Sequence, residues 1–377
     1  DQNRKNALAD FLKASTHEKL ENATENFERI WFKTIDHEKD RNEPPQEFAE
    51  AFEAEFGVSL KSYALVIGEM MNIGFLMKEN CPTMDKELLL GKIRKQTGIS
   101  ESIIDRVITR FSISPRTSWD SIPSGFSTND ILPFRYKRRL SLIHRPIVIM
   151  DKLNSPIDCD NLVIWGPRLL KKASWNLINM ICNGQYPLKN TESKEMGKLR
   201  GKIINERGKE FETVFAQWSE ENTLYKILKN LPIKPGKFFN AEKDLGDIDV
   251  MLLDENEMTM YCAECKDVDM ARNPVEMSQE MDQYIRGNRN KPDKKSRVQM
   301  HLSRMEWLIE NWSQVKEKLN IQNGQWKIVP FMLTSKEIPG VYMTESPIPF
   351  ISISLFKREK TAAFADLKLG KEVFNVS

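Results

Sequence analysis

The chain lacks long apolar runs, abundant histidine, a glycine-rich phosphate loop and any large net charge, and each lack removes a class of function. No apolar run approaches the roughly 20 residues of a membrane-spanning helix, and no signal-peptide pattern is visible. The four histidines, His17, His37, His144 and His301, form no chelating pair, which argues against histidine-based nuclease or zinc-hydrolase chemistry. The five cysteines, Cys81, Cys159, Cys182, Cys262 and Cys265, are odd in number and scattered, as suits a reducing, cytoplasmic setting. Cys262 and Cys265 do form a C-x-x-C, but in a strand residues three apart face opposite ways. No second cluster supplies the further ligands that zinc requires. Without repeats or a glycine-rich loop, nucleotide hydrolysis is not expected. With 56 basic and 54 acidic residues the net charge is +2, so any nucleic-acid footprint must be local. A length of 377 residues supports two or three domains with a sizeable core. The first residue is Asp1, which suggests a trimmed or processed piece of something longer.

What is present concentrates in GDIDVMLLDENEMTMYCAECKDV, residues 246–268. Two apolar runs flank the polar turn Glu255–Asn256–Glu257, the pattern of a β-hairpin. Strand alternation turns Glu264 and Lys266 the same way and Cys265 the other. Pairing in register lets Asp249 join them, giving two carboxylates and an amine at one sheet edge. Mg²⁺ prefers oxygen ligands, commonly one or two carboxylates with waters and substrate phosphates. Such a metal activates water and neutralises charge on a phosphodiester, and a neighbouring lysine orients that water or stabilises the phosphate. The backbone carbonyl of Cys265 is available as a further ligand. A carboxylate such as Asp249 inside an apolar strand is costly to bury unless it is paired or binds a metal. An E-x-K triplet alone also arises by chance at charged strand ends; the hairpin context favours the site.

The arrangement D-x(14)-E-x-K, here Asp249, Glu264 and Lys266, resembles the PD-(D/E)xK nuclease superfamily, in its Mrr-like and Holliday-junction-resolvase-like variant. The resemblance covers roughly residues 195–340 and departs from the superfamily name in having Ile248, not proline, before Asp249. It implies a restriction-endonuclease-like α/β domain, with an αβββαβ core and a mixed central sheet flanked by helices. It implies Asp249 and Glu264 as Mg²⁺ or Mn²⁺ ligands and Lys266 as the water-orienting or charge-stabilising residue. It also implies a helical glutamate, mapped onto Glu212 with Glu210 as second choice, acting as auxiliary ligand or base. Asp247 is an outside candidate.

The surroundings suit that core. Residues 194–220 carry Phe211, Val214, Phe215 and Trp218 at helical spacing, and Gly208 is expected to break or kink the helix. A short strand is expected at Leu224–Leu228, a loop at Pro232–Lys237, and a helix near Pro274–Ile285 with proline in its first turn. One helix is expected from Val298 to Leu319 and a buried strand at Trp326–Leu333. Between them, residues 286–297 form a cationic loop with Arg286, Arg289, Lys291, Lys294, Lys295 and Arg297. Two readings stand for it, a phosphate-binding loop and a solvated surface loop; its place after the site strand favours substrate contact.

The first half reads as a largely helical α+β region. Helices are expected over 1–33 and 46–80, joined by DHEKDRNEPPQ. Residues 85–110 have a helix–turn–helix form, with Gly98 at the turn and Ser100 as N-cap. Its second helix offers Glu101, Asp105 and Arg106, a poor basic surface, so a structural helical hairpin is favoured over a DNA reader. Residues 112–129 suggest a linker or lid, and RYKRR (135–139) leads into an expected strand at 142–150 that pairs with 162–165. The helix 167–182 takes its stripe from Trp175, Leu177, Ile178 and Ile181. The expected division is a helical region over 1–111, an accessory α+β region over 112–190, the nuclease domain over 191–345 and a C-terminal extension over 346–377.

The functional expectation is a Mg²⁺- or Mn²⁺-dependent endodeoxyribonuclease in a restriction, repair or defence setting. The alternatives are an RNase, and a catalytically silent nucleic-acid-binding or scaffold subunit on the same fold. DNA is the expected partner, with RNA as the alternative and a homodimer or a partner protein engaged through the N-terminal region.

Overall fold

Among the described residues two sheets, one in each half of the chain, organise what the apolar patterning encodes. The computed structural model describes residues 45–377 apart from 117, 119, 133–137, 151–160, 187–192, 270, 272, 288–292, 361 and 369. The expected helix at 1–33, most of the link after it and most of RYKRR therefore lie outside the described residues. The rest is a helical N-terminal region followed by a mixed α/β domain, and it falls into two compact units that divide after Asn205.

The first unit begins with helices α1 (Gln46–Phe56) and α2 (Leu60–Met77). Ser59 caps α2 by accepting from the Ser62 N–H at 3.1 Å. Strand β1 (Thr83–Asp85) leads into α3 (Lys86–Thr97), capped by Asp85, and α4 (Glu101–Arg110). Gly98 ends α3 at φ 73°, in the left-handed region. Ser100 sits at the start of α4 but makes no side-chain cap bond. Ile104, Val107 and Ile108 are fully buried. The polar groups of α4 are spent internally, Glu101 on Arg94, Asp105 on Lys86 and Arg106 on the Gly57 carbonyl.

Strand β2 (Ser112–Ile113), the short helix α5 (Thr128–Ile131), β3 (Ile147–Met150), β4 (Leu162–Trp165) and α6 (Pro167–Cys182) complete this unit. The sheet order is β1-β4-β3-β2, so residues expected as a helical region and as a separate accessory region share one sheet. The expected strand from 142 is shorter and starts at Ile147, because Ser141–His144 turns back on itself. Trp175 is 55 % exposed and not part of the apolar stripe of α6, which is Leu170, Ala173, Leu177, Met180 and Ile181.

Helix α7 (Lys194–Asn222) runs continuously through Gly208, so of the expected break or kink the break does not occur. A mid-helix glycine costs about 0.5–1 kcal/mol against alanine, too little to end a 29-residue helix. Strands β5 (Lys226–Ile233), β6 (Gly246–Asp254), β7 (Thr259–Lys266) and β8 (Trp326–Thr334) follow, with β9 (Phe350–Ser352) and β10 (Phe374–Val376) later. Strand β5 is longer than expected and includes Pro232. Proline is tolerated there because β5 is the sheet edge in the order β10-β8-β7-β6-β5. Pro330 similarly falls in the gap along β8 between the stretches paired by β10 and by β9.

Helices α8 (Pro274–Met281), α9 (Arg297–Glu310) and α10 (Trp312–Leu319) lie between β7 and β8, and α11 (Ile353–Glu359) and α12 (Ala362–Leu367) follow β9. The helix expected over 298–319 is thus two helices broken at Asn311, whose backbone (φ −109°, ψ 29°) leaves the helical region. Each face of the sheet has its own core. Phe211 and Phe215 of α7 with Phe356 and Phe364 of α11 and α12 cover one face. Met305, Leu308, Trp312 and Val315 of α9 and α10 cover the other. Burial on both faces explains why β7 reads as a continuous apolar run.

Candidate active site

The hairpin forms as expected: β6 pairs antiparallel with β7, with Val250 opposite Ala263. One step further along this register Asp249 comes beside Glu264. The side-chain alternation of β6 slips at this point, since Ile248 packs in the core under α9 and α10 and Val250 in the core under α7. Opposite this step, between the partners of those two residues, stands Asn230 with φ 52°. Asp249 is therefore the residue at which the strand's pleat is interrupted.

Asp249 Oδ2 accepts from the Cys265 N–H at 2.8 Å and from Lys266 Nζ at 3.2 Å. The same Nζ donates to the Cys265 carbonyl at 2.8 Å and lies 2.9 Å from Glu264 Oε1. Three oxygens, two from carboxylates and one from the backbone, thus converge on one cationic nitrogen. Cys262 and Cys265 belong to opposite cores, so their thiols share no site.

The second oxygen of Glu264 is held from α9. Arg304 Nη1 donates to Glu264 Oε2, while its Nε donates to the Leu245 carbonyl at 2.8 Å. His301 Nδ1 lies 3.8 Å from the same Oε2, and its Nε2 is 3.0 Å from the Cys262 carbonyl. Arg304 and His301 are both buried. Sequence reasoning missed these two. Their signal was a histidine and an arginine, three apart, on the stripe of Val298, Met305 and Leu308 that α9 turns to the core.

Burial and charge together set the titration of the cluster. Burial and then the Glu264 carboxylate raise the pKa of Asp249, against the pull of Lys266. Glu264 is held below the usual carboxylate range: burial raises it, but Lys266 and Arg304 outweigh that. Lys266 is raised because the two carboxylates outweigh its burial. His301 is pushed down to about 4 by burial, so it is neutral near pH 7. Glu212 on α7 is half-buried, and burial followed by the charge of Asp249 pushes it up to about 7. Its carboxyl senses Asp249, Lys266 and Glu264 together, whereas Glu210 is exposed.

The donor set suits a hard divalent cation, because all three converging atoms are oxygens and the atom they surround is itself a cation. Among the described residues no group of three or more His, Cys, Asp or Glu side chains is arranged to hold a metal. The cradle has two carboxylates and a carbonyl instead. Asp247 stands apart, paired with Lys234 at 3.1 Å. Asp267, next to Lys266, accepts from Ser335 Oγ at 2.7 Å and pairs with Arg207 of α7 at 2.6 Å, fixing the strand end.

The cationic segment is divided. Arg286 donates to Thr344 Oγ1 at 3.0 Å and Arg297 opens α9. Lys294 and Lys295 are exposed, with Lys295 Nζ 2.7 Å from Ser303 Oγ. Arg289 and Lys291 lie outside the described residues.

The family model described as anti-phage protein Upx-like matches residues 5–349, and the chain belongs to that Upx-like family. No curated protein and no solved structure matches it. The family description gives the setting as defence against phage. No helix among the described residues is long and apolar enough to cross a membrane.

Proposed function

We propose that this member of the Upx-like anti-phage family is a metal-dependent nuclease of the PD-(D/E)xK type, acting on DNA. The observation that carries this reading is the oxygen cradle of Asp249, Glu264 and the Cys265 carbonyl, with Lys266 at its centre. The order helix, three strands, helices, strand from α7 to β8 supports it. Asp249, Glu264 and the Cys265 carbonyl would hold Mg²⁺ or Mn²⁺. When bound, such a cation makes a water nucleophilic at neutral pH and neutralises charge on the phosphodiester.

The chain's own groups divide the remaining work. Hydrolysis forms a P–O bond from water, breaks the P–O bond to the leaving oxygen, and moves one proton from the water to that oxygen. Lys266 Nζ donates hydrogen bonds to the water or to a phosphate oxygen. Glu212 is the auxiliary ligand or the acceptor of the water's proton. Arg286, Lys294, Lys295 and Arg297 would bind backbone phosphates, and Arg289 and Lys291 of the same segment are assigned that role from the sequence.

The test is purified protein with Mg²⁺ or Mn²⁺ on supercoiled, linear and single-stranded DNA and on RNA, alongside Lys266→Ala, and phage plating on cells carrying each form. Metal-dependent cleavage and plating protection should both be lost in Lys266→Ala. Full cleavage by that variant would refute the assignment, and cleavage of RNA alone would make the protein an RNase.

One observation favours a second reading, a silent nucleic-acid-binding or scaffold protein. Both oxygens of Glu264 are already ion-paired, to Lys266 and to Arg304. A silent relative would show no Mn²⁺ binding that depends on Asp249 and Glu264.

A further inference from the structure

Glu264 is held unequally. Its Oε1 faces Lys266 Nζ and the cradle, and its Oε2 faces α9, where Arg304 Nη1 takes it. Arg304 is anchored twice, since its Nε also donates to the Leu245 carbonyl at 2.8 Å. Gly246 makes this anchoring fit. It has φ 90°, and a Cβ there would lie 3.0 Å from Arg304 Nη2 and 3.3 Å from Nε, so the guanidinium lies against bare backbone. Gly246, which opens the stretch GDIDVMLLD, thus serves the arginine of a helix some 60 residues later. His301, fixed through the Cys262 carbonyl, closes the other approach to Oε2.

We propose that Arg304 sets the cation specificity of this site, by occupying Glu264 Oε2 so that only Oε1 is offered to a metal. The inference rests on the metal-site reading above and assigns Arg304 as a positioning residue acting through Glu264. Ca²⁺ takes six to eight oxygens and commonly draws both oxygens of a carboxylate, whereas Mg²⁺ is content with one or two carboxylates and retained waters. A site in which the second carboxylate oxygen is withheld favours Mg²⁺ and Mn²⁺ over Ca²⁺.

Calorimetric titration of the full chain with Mn²⁺ and with Ca²⁺ tests this, in the wild type, Arg304→Gln and Arg304→Lys. Loss of a nearby positive charge tightens both cations together, and a loosened fold weakens both together; neither changes their ratio. Freeing Glu264 Oε2 does. The ratio of the Ca²⁺ to the Mn²⁺ dissociation constant is expected to fall by about tenfold in Arg304→Gln. It should fall less, in the same direction, in Arg304→Lys, which keeps the charge but not the second anchor. If the Gln variant does not fold, the Lys variant decides. An unchanged ratio in the folded variants overturns the assignment and leaves the nuclease reading standing. The expected shift in a protein that cuts no nucleic acid supports the assignment and sinks the nuclease reading. A wild type that binds neither cation overturns both.

Discussion

The Lys266 ammonium lies 2.9 Å from Glu264 Oε1, within the oxygens that a divalent cation would use. The lysine and the metal are therefore competitors for one cradle before they are partners in one reaction. Asp249 Oδ2 at 3.2 Å and the Cys265 carbonyl at 2.8 Å complete the ammonium's hydrogen bonds, and all three must be released when a metal enters.

Lys266→Met removes the competitor and keeps the apolar length of the side chain. Mn²⁺ binding should tighten by about tenfold, equivalent to about 1.4 kcal/mol, while cleavage is lost. Calorimetric titration beside a plasmid-nicking assay checks this. Equal or weaker Mn²⁺ affinity in the variant would show that the ammonium does not occupy the cation's place.

Asp249→Asn separates charge from hydrogen bonding. Asparagine retains an oxygen to accept from the Cys265 N–H, a bond of 2.8 Å in the wild type. The charged form of Asp249 is penalised by burial and by Glu264, which is why its pKa is raised. A group whose pKa is raised on folding is less stable as a carboxylate above that range, so the neutral variant should melt no lower than the wild type at pH 7. Mn²⁺ affinity should fall by about 100-fold or more, beyond the usual effect of an outer-shell change. Thermal melts and titration on the same preparation check both halves. A much lower melting temperature would mean that Asp249 is chiefly structural.

The hairpin was legible because its information is local: two apolar runs, a polar turn and a fixed spacing from Asp249 to Lys266. Glu212 was reachable only through the resemblance, and its carboxyl does sense Asp249, Lys266 and Glu264. Arg304 and His301 were not legible, because their role depends on which face of α9 meets β7. A helix pattern gives a stripe but not the strand beneath it. The break at Asn311 was hidden by an apolar period that continues across it, from Leu308 to Trp312 and Val315. At Gly208 the sequence leaves a break or a kink open, and the helix runs on, because a single glycine weakens a helix without ending it. In the first half the elements were mostly recoverable, but the sheet joining β1, from a helical stretch, to β2, β3 and β4 depends on distant pairing that periodicity does not encode.

Acid stability should depend on Asp130. Its carboxylate accepts from Arg139 Nε at 3.0 Å and Nη2 at 2.9 Å and from the Ser127 N–H at 2.9 Å. Burial pushes its pKa up, yet these bonds outweigh burial and bring it to about 2. A pKa lowered on folding gives stability that is present above the unfolded value, near 4, and is lost as pH falls toward 2. Urea melts of wild type and Asp130→Asn between pH 5 and 2 should converge as the pH falls, the wild type losing its advantage. Parallel curves across that window would remove the pair from the acid response.

Two glycines in helices should respond to alanine with opposite signs. At Gly74 in α2 an added Cβ would lie 2.4 Å from Pro167 Cγ and 2.9 Å from Trp165 Nε1. Neither partner gives way easily: the Pro167 ring is closed and opens α6, and Trp165 Nε1 donates to the Met70 carbonyl at 2.9 Å. Gly74→Ala should therefore destabilise by about 1–3 kcal/mol, the cost of overpacking. At Gly208 in α7 nothing lies within 4 Å of the added atom, so only backbone freedom changes. Gly208→Ala should stabilise by about 0.5–1 kcal/mol, because the unfolded chain loses more freedom than the helix. Denaturant melts resolve both effects. A destabilised Gly208→Ala would show that the helix needs its glycine, and with it the kink that the sequence suggested.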